Sequence, residues 1–343
     1  MIYKNIWNIE DGSNKLAILK NKIKSSTSIA IFGHDYIDWD CVGSMLGLWT
    51  ILENMWKHVT YYTSYTPSNH LSWVEEIDKI STEFDFQDRD VVILVDCNKY
   101  TRISRFYEIN PNYFKNNYTI IIDHHLYDKE VWNLNLIDTT SSSCCEVIWE
   151  ISKQIFEDDM IDKNVANYLC LGTISDTGNF EYEKDTIRTF SNILEMIKKW
   201  ADKRYLVENL QKFTSQEASF VWKFIGRYNI EWNIWYTYIT QVDLLDYNID
   251  KEQAKAGQSI IKNIIWIPIS IVFSDIGGEY GASMRTSRDD INLSEIAKQW
   301  WGGGHKKAAA FKIISEKWFI DWIEEIVEKI NHILNSKIIT HHK

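Results

Sequence analysis

The chain has 343 residues, 45% of them hydrophobic and 25% charged, and a formal net charge of −11. That length suits two domains, each with its own core, and no apolar run reaches the ~18 residues of a membrane-crossing helix. The acidic balance excludes a protein that coats long duplex nucleic acid by counterion release, yet allows short phosphorylated substrates where bound cations reverse the local sign.

Taken in chain order, Ser28 to Phe32 reads as a first buried strand, followed at once by His34-Asp35-Tyr36-Ile37-Asp38-Trp39-Asp40. Gly43 to Asn54 is predicted as a helix whose Gly43-Ser44 start is suited to face a phosphate. Val59 to Tyr62 is a second strand. Val91 to Val95 is a third, closed by Asp96, and Thr119 to Ile122 is a fourth, closed by Asp123-His124-His125. Asn135 to Ile137 is a short fifth. Ser141-Ser142-Ser143 caps a helix running to about Phe156, with Glu146 in its first turn, and Lys163 to about Ile174 is the next helix, leading into Ser175-Asp176-Thr177-Gly178. Strands alternating with helices predict a parallel sheet with right-handed crossovers.

Asp185 to about Arg227 is read as a helical connector with the amphipathic run Ile187, Phe190, Ile193, Leu194 and Ile197. A smaller α/β unit follows. Its predicted strands are Tyr236 to Thr240, Ile267 to Phe273, Gly281 to Arg285 and Ala308 to Ile314. Its predicted helices are Lys251 to Ile264, Leu293 to Gln299 and Lys317 to Leu334.

The chemistry sits where the strands end. Imidazole with carboxylate is the ligand set of Mn²⁺, Fe²⁺ or Zn²⁺. The carboxyl ends of strands are where open α/β sheets bind ligands, and several acids gathered there would repel one another without cations between them. The four motifs together predict a polynuclear metal hydrolase. Five cysteines without a C-x-x-C, and an N-terminus without a signal peptide's apolar segment, point to reduced thiols in the cytoplasm.

The count of 16 Trp against 14 Gly is unusual, since glycine is ordinarily about 7% of residues. Trp39 stands in the Asp-Trp-Asp turn, Trp56 and Trp200 just after predicted helices, and Trp301 beside Gly302-Gly303-Gly304. Such positions favour glycine. One reading is that the gene uses UGA for glycine and is translated here as tryptophan; the other is a genuinely Trp-rich protein.

In this order the motifs resemble the DHH phosphoesterase family, in its nanoRNase/pAp-phosphatase branch. The resemblance runs from about Ile29 to Phe311 and includes Ser283-Met284-Arg285-Thr286-Ser287 and Gly302-Gly303-Gly304-His305-Lys306-Lys307-Ala308-Ala309. It implies a catalytic metal-binding domain over 1–184, the connector over 185–227 and a DHH-associated substrate-binding domain over 228–343. It further implies two divalent ions, Mn²⁺ by family habit, one held by His34, Asp38 and Asp96 and the other by Asp40, Asp96, His124 and Asp176. Asp123 would orient a ligand and His125 would face the scissile phosphate, with a hydrogen bond to a ligand as its alternative role. Arg285, Ser287, Gly302, Gly303, Gly304 and His305 would hold substrate phosphate, with Arg102 either approaching from the first domain or solvated. The family normally has glycine at the positions of Trp39 and Trp301, and a basic residue is common where Asn179 stands.

The implied substrates are short oligoribonucleotides, dinucleotides and 3′-phosphoadenosine 5′-phosphate, with no membrane partner and with a homodimer allowed. A RecJ-like single-strand exonuclease and a non-catalytic nucleotide sensor are the alternatives.

Overall fold

The computed structural model describes residues 6–8, 10–126, 133–181, 187–232, 234–254, 257 and 268–340. The chain divides into two compact units, Met1–Lys212 and Phe213–Lys343.

The first unit is built on a five-stranded sheet of β1 (Ser28–Phe32), β2 (His58–Tyr62), β3 (Val91–Val95), β4 (Thr119–Asp123) and β5 (Leu134–Ile137). Every pairing is parallel and the order is β2-β1-β3-β4-β5. The strands are apolar on both faces, as a sheet covered on both sides requires. Ile29, Ile31, Ile93, Val95, Ile120 and Ile122 lie in one core cluster, while Ala30, Phe32, Val92, Leu94 and Ile121 lie in another. The first cluster takes in buried residues of α1 (Glu10–Ser25) and α2 (Trp39–Asn54). The second takes in Phe106 of α3 (Ser104–Ile109) and Phe114 of α4 (Pro111–Asn116). α5 (Cys144–Ile155) and α6 (Lys163–Asp176) join the first cluster. α7 (Ile187–Lys198) and α8 (Lys203–Leu210) complete the unit, α7 burying Arg188, Asn192, Ile193 and Met196.

Two local expectations are corrected. α2 starts at Trp39, four residues before the predicted Gly43, because the Asp38 side chain caps it by accepting the Cys41 N–H at 3.1 Å. Trp39 is therefore the first helical residue and not the hinge of a turn. Gly43 lies inside the helix, where a Cβ would come 2.4 Å from the Tyr168 carbonyl oxygen, so its role is close helix packing and not phosphate capture. α1 has no counterpart among the predicted elements.

The second unit opens with α9 (Ser215–Gly226) and contains a mixed six-stranded sheet: β6 (Asn229–Glu231), β7 (Ile234–Thr240), β8 (Ile269–Ile276), β9 (Glu279–Arg285), β10 (Gly303–Gly304) and β11 (Ala308–Ile313). The order is β10-β11-β9-β8-β7-β6, antiparallel except for β7 with β8. Helices Leu293–Ala297 and Phe319–Thr340 add to it. Of the predicted helix at 251–264, Lys251–Ala254 is helical, and 255–256 and 258–264 lie outside the described residues. Ile267, the expected start of a strand, lies outside them too.

Among the described residues, four tryptophans have left-handed backbone: Trp56 at φ 59°, Trp200 at 71°, Trp232 at 57° and Trp301 at 56°. They are 96%, 78%, 65% and 93% exposed. Bulky side chains rarely adopt this conformation, and these rings gain little packing in return.

Candidate metal centre

The strand order reverses between β1 and β3, and this switch point is where an open α/β sheet forms a crevice beyond its strand ends. His34 follows β1, Asp96 follows β3, and Asp123, His124 and His125 end or follow β4. Asp96 has a left-handed backbone (φ 54°), which aspartate tolerates better than most residues and which turns the chain sharply off its strand.

The Asp96 carboxylate divides between two sets of partners. Its Oδ2 lies 3.4 Å from His34 Nε2, and its Oδ1 lies 3.6 Å from His124 Nε2 and 3.4 Å from His125 Nδ1. His34 Nε2 is also 3.8 Å from Asp38 Oδ1. His124 Nε2 is 3.7 Å from Asp40 Oδ2 and 3.5 Å from Asp176 Oδ2, the latter at the end of α6. These separations are long for hydrogen bonds. They match the ~3.4 Å edge between two ligands of a tetrahedral ion with bonds of about 2.1 Å. Among the described residues, His34 Nε2, Asp96 Oδ1 and Asp123 Oδ2 find no hydrogen-bond partner although buried. Buried polar atoms of native proteins seldom lack partners, so a cation fits what these atoms require.

Electrostatics agrees. Burial, then the carboxylates of Asp40, Asp38, Asp123 and Asp176, push the Asp96 carboxyl well above its ordinary range. Burial and Asp38 push Asp40 up to about 7. Loss of hydration would raise Asp38, but the neighbouring His34 imidazole, 3.8 Å away, and the Cys41 N–H outweigh it and hold that carboxyl low. Crowded acids of this kind are relieved by divalent cations.

The polypeptide holds these groups in place through the backbone. Asp40 accepts the Cys144 N–H at 2.7 Å and the Cys145 N–H at 3.0 Å, the open amides at the start of α5. A Cβ at Gly172 would come 2.8 Å from Asp40 Oδ1, so α6 can pass this close only as glycine. His124 Nδ1 lies 3.4 Å from the Ser141 carbonyl oxygen. Asp123 accepts the backbone N–H groups of His124 at 2.7 Å and His125 at 3.2 Å, and its Oδ1 lies 2.9 Å from His125 Nδ1. Burial tends to raise Asp123, yet its bonds to His125 win and hold it low. His125 is only half-buried.

Of the residues singled out in the sequence, His34, Asp38, Asp40, Asp96, Asp123, His124, His125 and Asp176 thus converge on one crevice. The charge of Arg102 acts on Asp38, and the Arg102 carbonyl accepts the Asp35 N–H at 2.6 Å. Asn179 and Phe180 both have left-handed backbone after α6. Cys41 also belongs to this neighbourhood and was not singled out, because a lone cysteine in a helix reads as a small apolar residue.

The second unit gathers the other set at one end of its sheet. Ala308 pairs with Arg285 and Ala309 with Gly304, which brings β9, β10 and the His305 turn together. Arg285 donates to Ser283 Oγ at 3.2 Å and to the Met284 carbonyl at 2.9 Å. Lys307 Nζ donates to the Ser287 carbonyl at 2.8 Å. Ser287, Gly303, Gly304 and His305 are exposed. A Cβ at Gly302 would come 2.3 Å from the Ala310 carbonyl oxygen, so part of the glycine requirement is packing against β11.

Residues 28–173 match the DHH family, N-terminal domain, and residues 233–336 match the DHHA1 domain. A probable bifunctional oligoribonuclease and PAP phosphatase NrnA of Streptococcus mutans is 26% identical over 315 residues, covering 91% of this chain and 97% of that protein. A bifunctional oligoribonuclease and PAP phosphatase NrnA of Mycoplasma genitalium is 24% identical over 312 residues, covering 90% and 96%. Among solved structures, an exopolyphosphatase-related protein from Bacteroides fragilis superposes with a TM-score of 0.83 at 20% identity, over 94% of this chain and 98% of that one. RecJ of Thermus thermophilus with Mn²⁺ gives 0.54 at 14% identity, over 96% of this chain and 56% of that one. These structural likenesses speak to the fold.

Proposed function

Since the chain belongs to the DHH phosphoesterase family and is a hydrolase acting on phosphoester bonds, we propose that it cleaves short phosphorylated nucleotides: dinucleotides, short oligoribonucleotides and 3′-phosphoadenosine 5′-phosphate. The observation that carries the reading is the Asp96 carboxylate, whose two oxygens face different histidines. Two divalent ions in this centre, Mn²⁺ by family resemblance, would supply an activated water at neutral pH and neutralise phosphoryl oxygens.

The chain's own residues have separate tasks in this proposal. His34, Asp38 and Asp96 hold one ion, and Asp40, Asp96, His124 and Asp176 hold the other. Asp123 fixes the His125 ring through the 2.9 Å contact, so that its other nitrogen faces outward to donate to a phosphoryl oxygen. The half-exposure of His125 suits a residue that meets substrate. Arg285, Ser287, the 302–304 glycines and His305 grip a phosphate remote from the cleaved bond, the arginine through its planar fork and the glycines through their amides. Arg102 supplies positive charge beside Asp38. A substrate of a few nucleotides suits a protein of this net charge, which disfavours tracking a long duplex.

Among the described residues no helix is long and apolar enough to cross a membrane. The test is a panel of a dinucleotide, short oligoribonucleotides, 3′-phosphoadenosine 5′-phosphate and a long single strand, assayed with and without Mn²⁺. Metal-dependent release of mononucleotides or phosphate from the short substrates is expected. Preference for the long strand would move the reading to an exonuclease of the RecJ kind. Nucleotide binding without turnover would move it to a sensor.

A further inference from the structure

We propose that Cys41 is itself a metal ligand, and that its sulfur makes the ion position of His34 and Asp96 selective for thiophilic divalent ions (Zn²⁺, Co²⁺ or Fe²⁺) over Mn²⁺. The inference rests on the metal-centre reading above and sharpens one of its two positions.

A ring nitrogen of His34, Sγ of Cys41 and a carboxylate oxygen of Asp96 all lie within 4.8 Å of one another. An ion bound by nitrogen or oxygen at about 2.1 Å and by sulfur at about 2.3 Å spaces its ligands about 3.4–3.6 Å apart, so these three atoms would draw together around it. All three residues are almost wholly buried, at 4%, 0% and 1% exposure. Among the described residues, His34 Nε2 and Asp96 Oδ1 find no hydrogen-bond partner although buried.

The helix explains how the sulfur reaches this place. Asp38 caps α2 and Cys41 is its third residue, so the two are three apart and share a face of the first turn. The same 3.1 Å bond from the Cys41 N–H to Asp38 Oδ1 ties cap and cysteine together. Asp40, between them, points elsewhere and is held by the amides of α5. The thiol's contact within its own helix is with Met45 Sδ at 4.0 Å, which is a weak acceptor and a poor reason to place a thiol here. On the strand side a Cβ at Gly33 would come 2.6 Å from Cys41 Sγ, so glycine before His34 makes room for the sulfur beside the imidazole.

Selectivity follows from ligand softness. Carboxylate and imidazole accept Mn²⁺ readily, whereas thiolate favours zinc and the later divalent ions. A mixed centre results: an oxygen-rich position around Asp40, His124 and Asp176, and a sulfur-containing one around His34, Cys41 and Asp96. The alternative is that Cys41 only fills space between β1 and α2.

The full chain, stripped of metal, is titrated with Co²⁺ and followed by absorbance, with Zn²⁺ and Mn²⁺ affinities measured by competition. The wild type is expected to show visible cobalt bands together with a strong near-ultraviolet sulfur-to-cobalt charge-transfer band. Cys41→Ala should lose the sulfur band, keep visible bands from the second position, and bind its first Zn²⁺ at least about a hundredfold more weakly, with Mn²⁺ affinity changed by less than about threefold. Cys41→Ser keeps the side-chain volume and should behave as Cys41→Ala does, which covers the case in which alanine does not fold. Visible bands without a sulfur band in the wild type, or a sulfur band that survives both substitutions, overturn the thiol ligand while leaving the metal centre standing. Failure of the wild type to take up Co²⁺ at all overturns both.

Discussion

Replacing the four left-handed tryptophans by glycine should stabilise the protein. A residue with a Cβ pays roughly 1–2 kcal/mol in the left-handed region, a cost that glycine avoids. Glycine gives back part of this through the extra freedom of its unfolded chain, roughly 0.5–1 kcal/mol. The rings of Trp56, Trp200, Trp232 and Trp301 are 96%, 78%, 65% and 93% exposed, so little packing is lost with them. A net gain of roughly 0.5–1 kcal/mol per site remains, and sites this far apart in sequence and element should add. Trp56→Gly with Trp200→Gly, both in the first unit, then raises its midpoint by about 2–8 °C. Calorimetry of the double and quadruple variants reads this directly. Trp149→Ala is the contrasting control: that ring is 1% exposed, and its loss should cost about 3–5 kcal/mol. Trp39→Gly should also destabilise, because Trp39 is helical and packs on His70 and Trp73 at ring separations of 4.9 and 5.2 Å. A midpoint that is unchanged or lowered in the quadruple variant would refute the reasoning. The same argument bears on the gene: TGA codons at 56, 200, 232 and 301 are expected if these positions are glycine in the native protein, and TGG codons there exclude it.

Asp96→Ala should abolish turnover and lower bound divalent metal, measured by elemental analysis; wild-type metal content with wild-type activity removes the bridging role. His125→Ala should retain metal and lose kcat on the order of 10²-fold, as for one transition-state donor, and loss of metal instead would exchange the roles of the two histidines. Arg285→Ala should chiefly raise KM for short nucleotides, by about ten- to a hundredfold for a charged hydrogen bond worth roughly 1.5–3 kcal/mol, and leave a small chromogenic phosphodiester little affected; equal losses on both would place Arg285 in folding or at the metals. Burial raises the Asp40 and Asp96 carboxyls, so between an unfolded pKa of about 4 and the folded values the native state binds more protons than the unfolded one. Metal-free protein should therefore lose stability as pH rises through that window. The Tm increase on adding Mn²⁺ should be larger near pH 7.5 than near pH 5, and an equal increase at both would count against the crowded-acid argument.

β1, β3 and β4 were legible because each is an apolar run followed within two residues by an acid or histidine. β1 and β3 match their expected bounds, and β4 extends one residue further, to Asp123. The crevice was legible for the same reason, since strand-end residues of a parallel sheet must meet at the switch point whatever lies between them. α1 was not legible. Its first turn contains Asp11-Gly12-Ser13, which reads as a turn, yet Gly12 is needed there because a Cβ would come 2.3 Å from the Ile6 carbonyl oxygen. The start of α2 was misread because Asp38 has two roles. Its carboxylate caps the helix and also faces His34, and the spacing of acids in Asp38-Trp39-Asp40 carries no signal of the cap.

What stood furthest from the sequence is the buried framework behind His124 and Asp40. Arg188 of α7 pairs with Asp138 at 2.7 Å and with Glu150 Oε1 at 2.7 Å, although these partners are far from it in the chain. Asn192 donates to Glu146 Oε1 at 3.0 Å and to Glu150 Oε1 at 2.9 Å. Glu146 Oε2 in turn accepts from the Ser141 and Ser142 hydroxyls and the Ser142 N–H, at 2.8 to 2.9 Å. The loop so fixed presents the Ser141 carbonyl to His124 and the Cys144 and Cys145 amides to Asp40. A buried ion pair of this kind adds little net stability over an apolar pair, but loss of one partner leaves a charge stranded at a cost of about 3–5 kcal/mol. Its value here is geometric. Metal ligands must be held close to their working positions by groups that are themselves held, and α7 does this for two of them through the buried Ser141, Ser142 and Ser143.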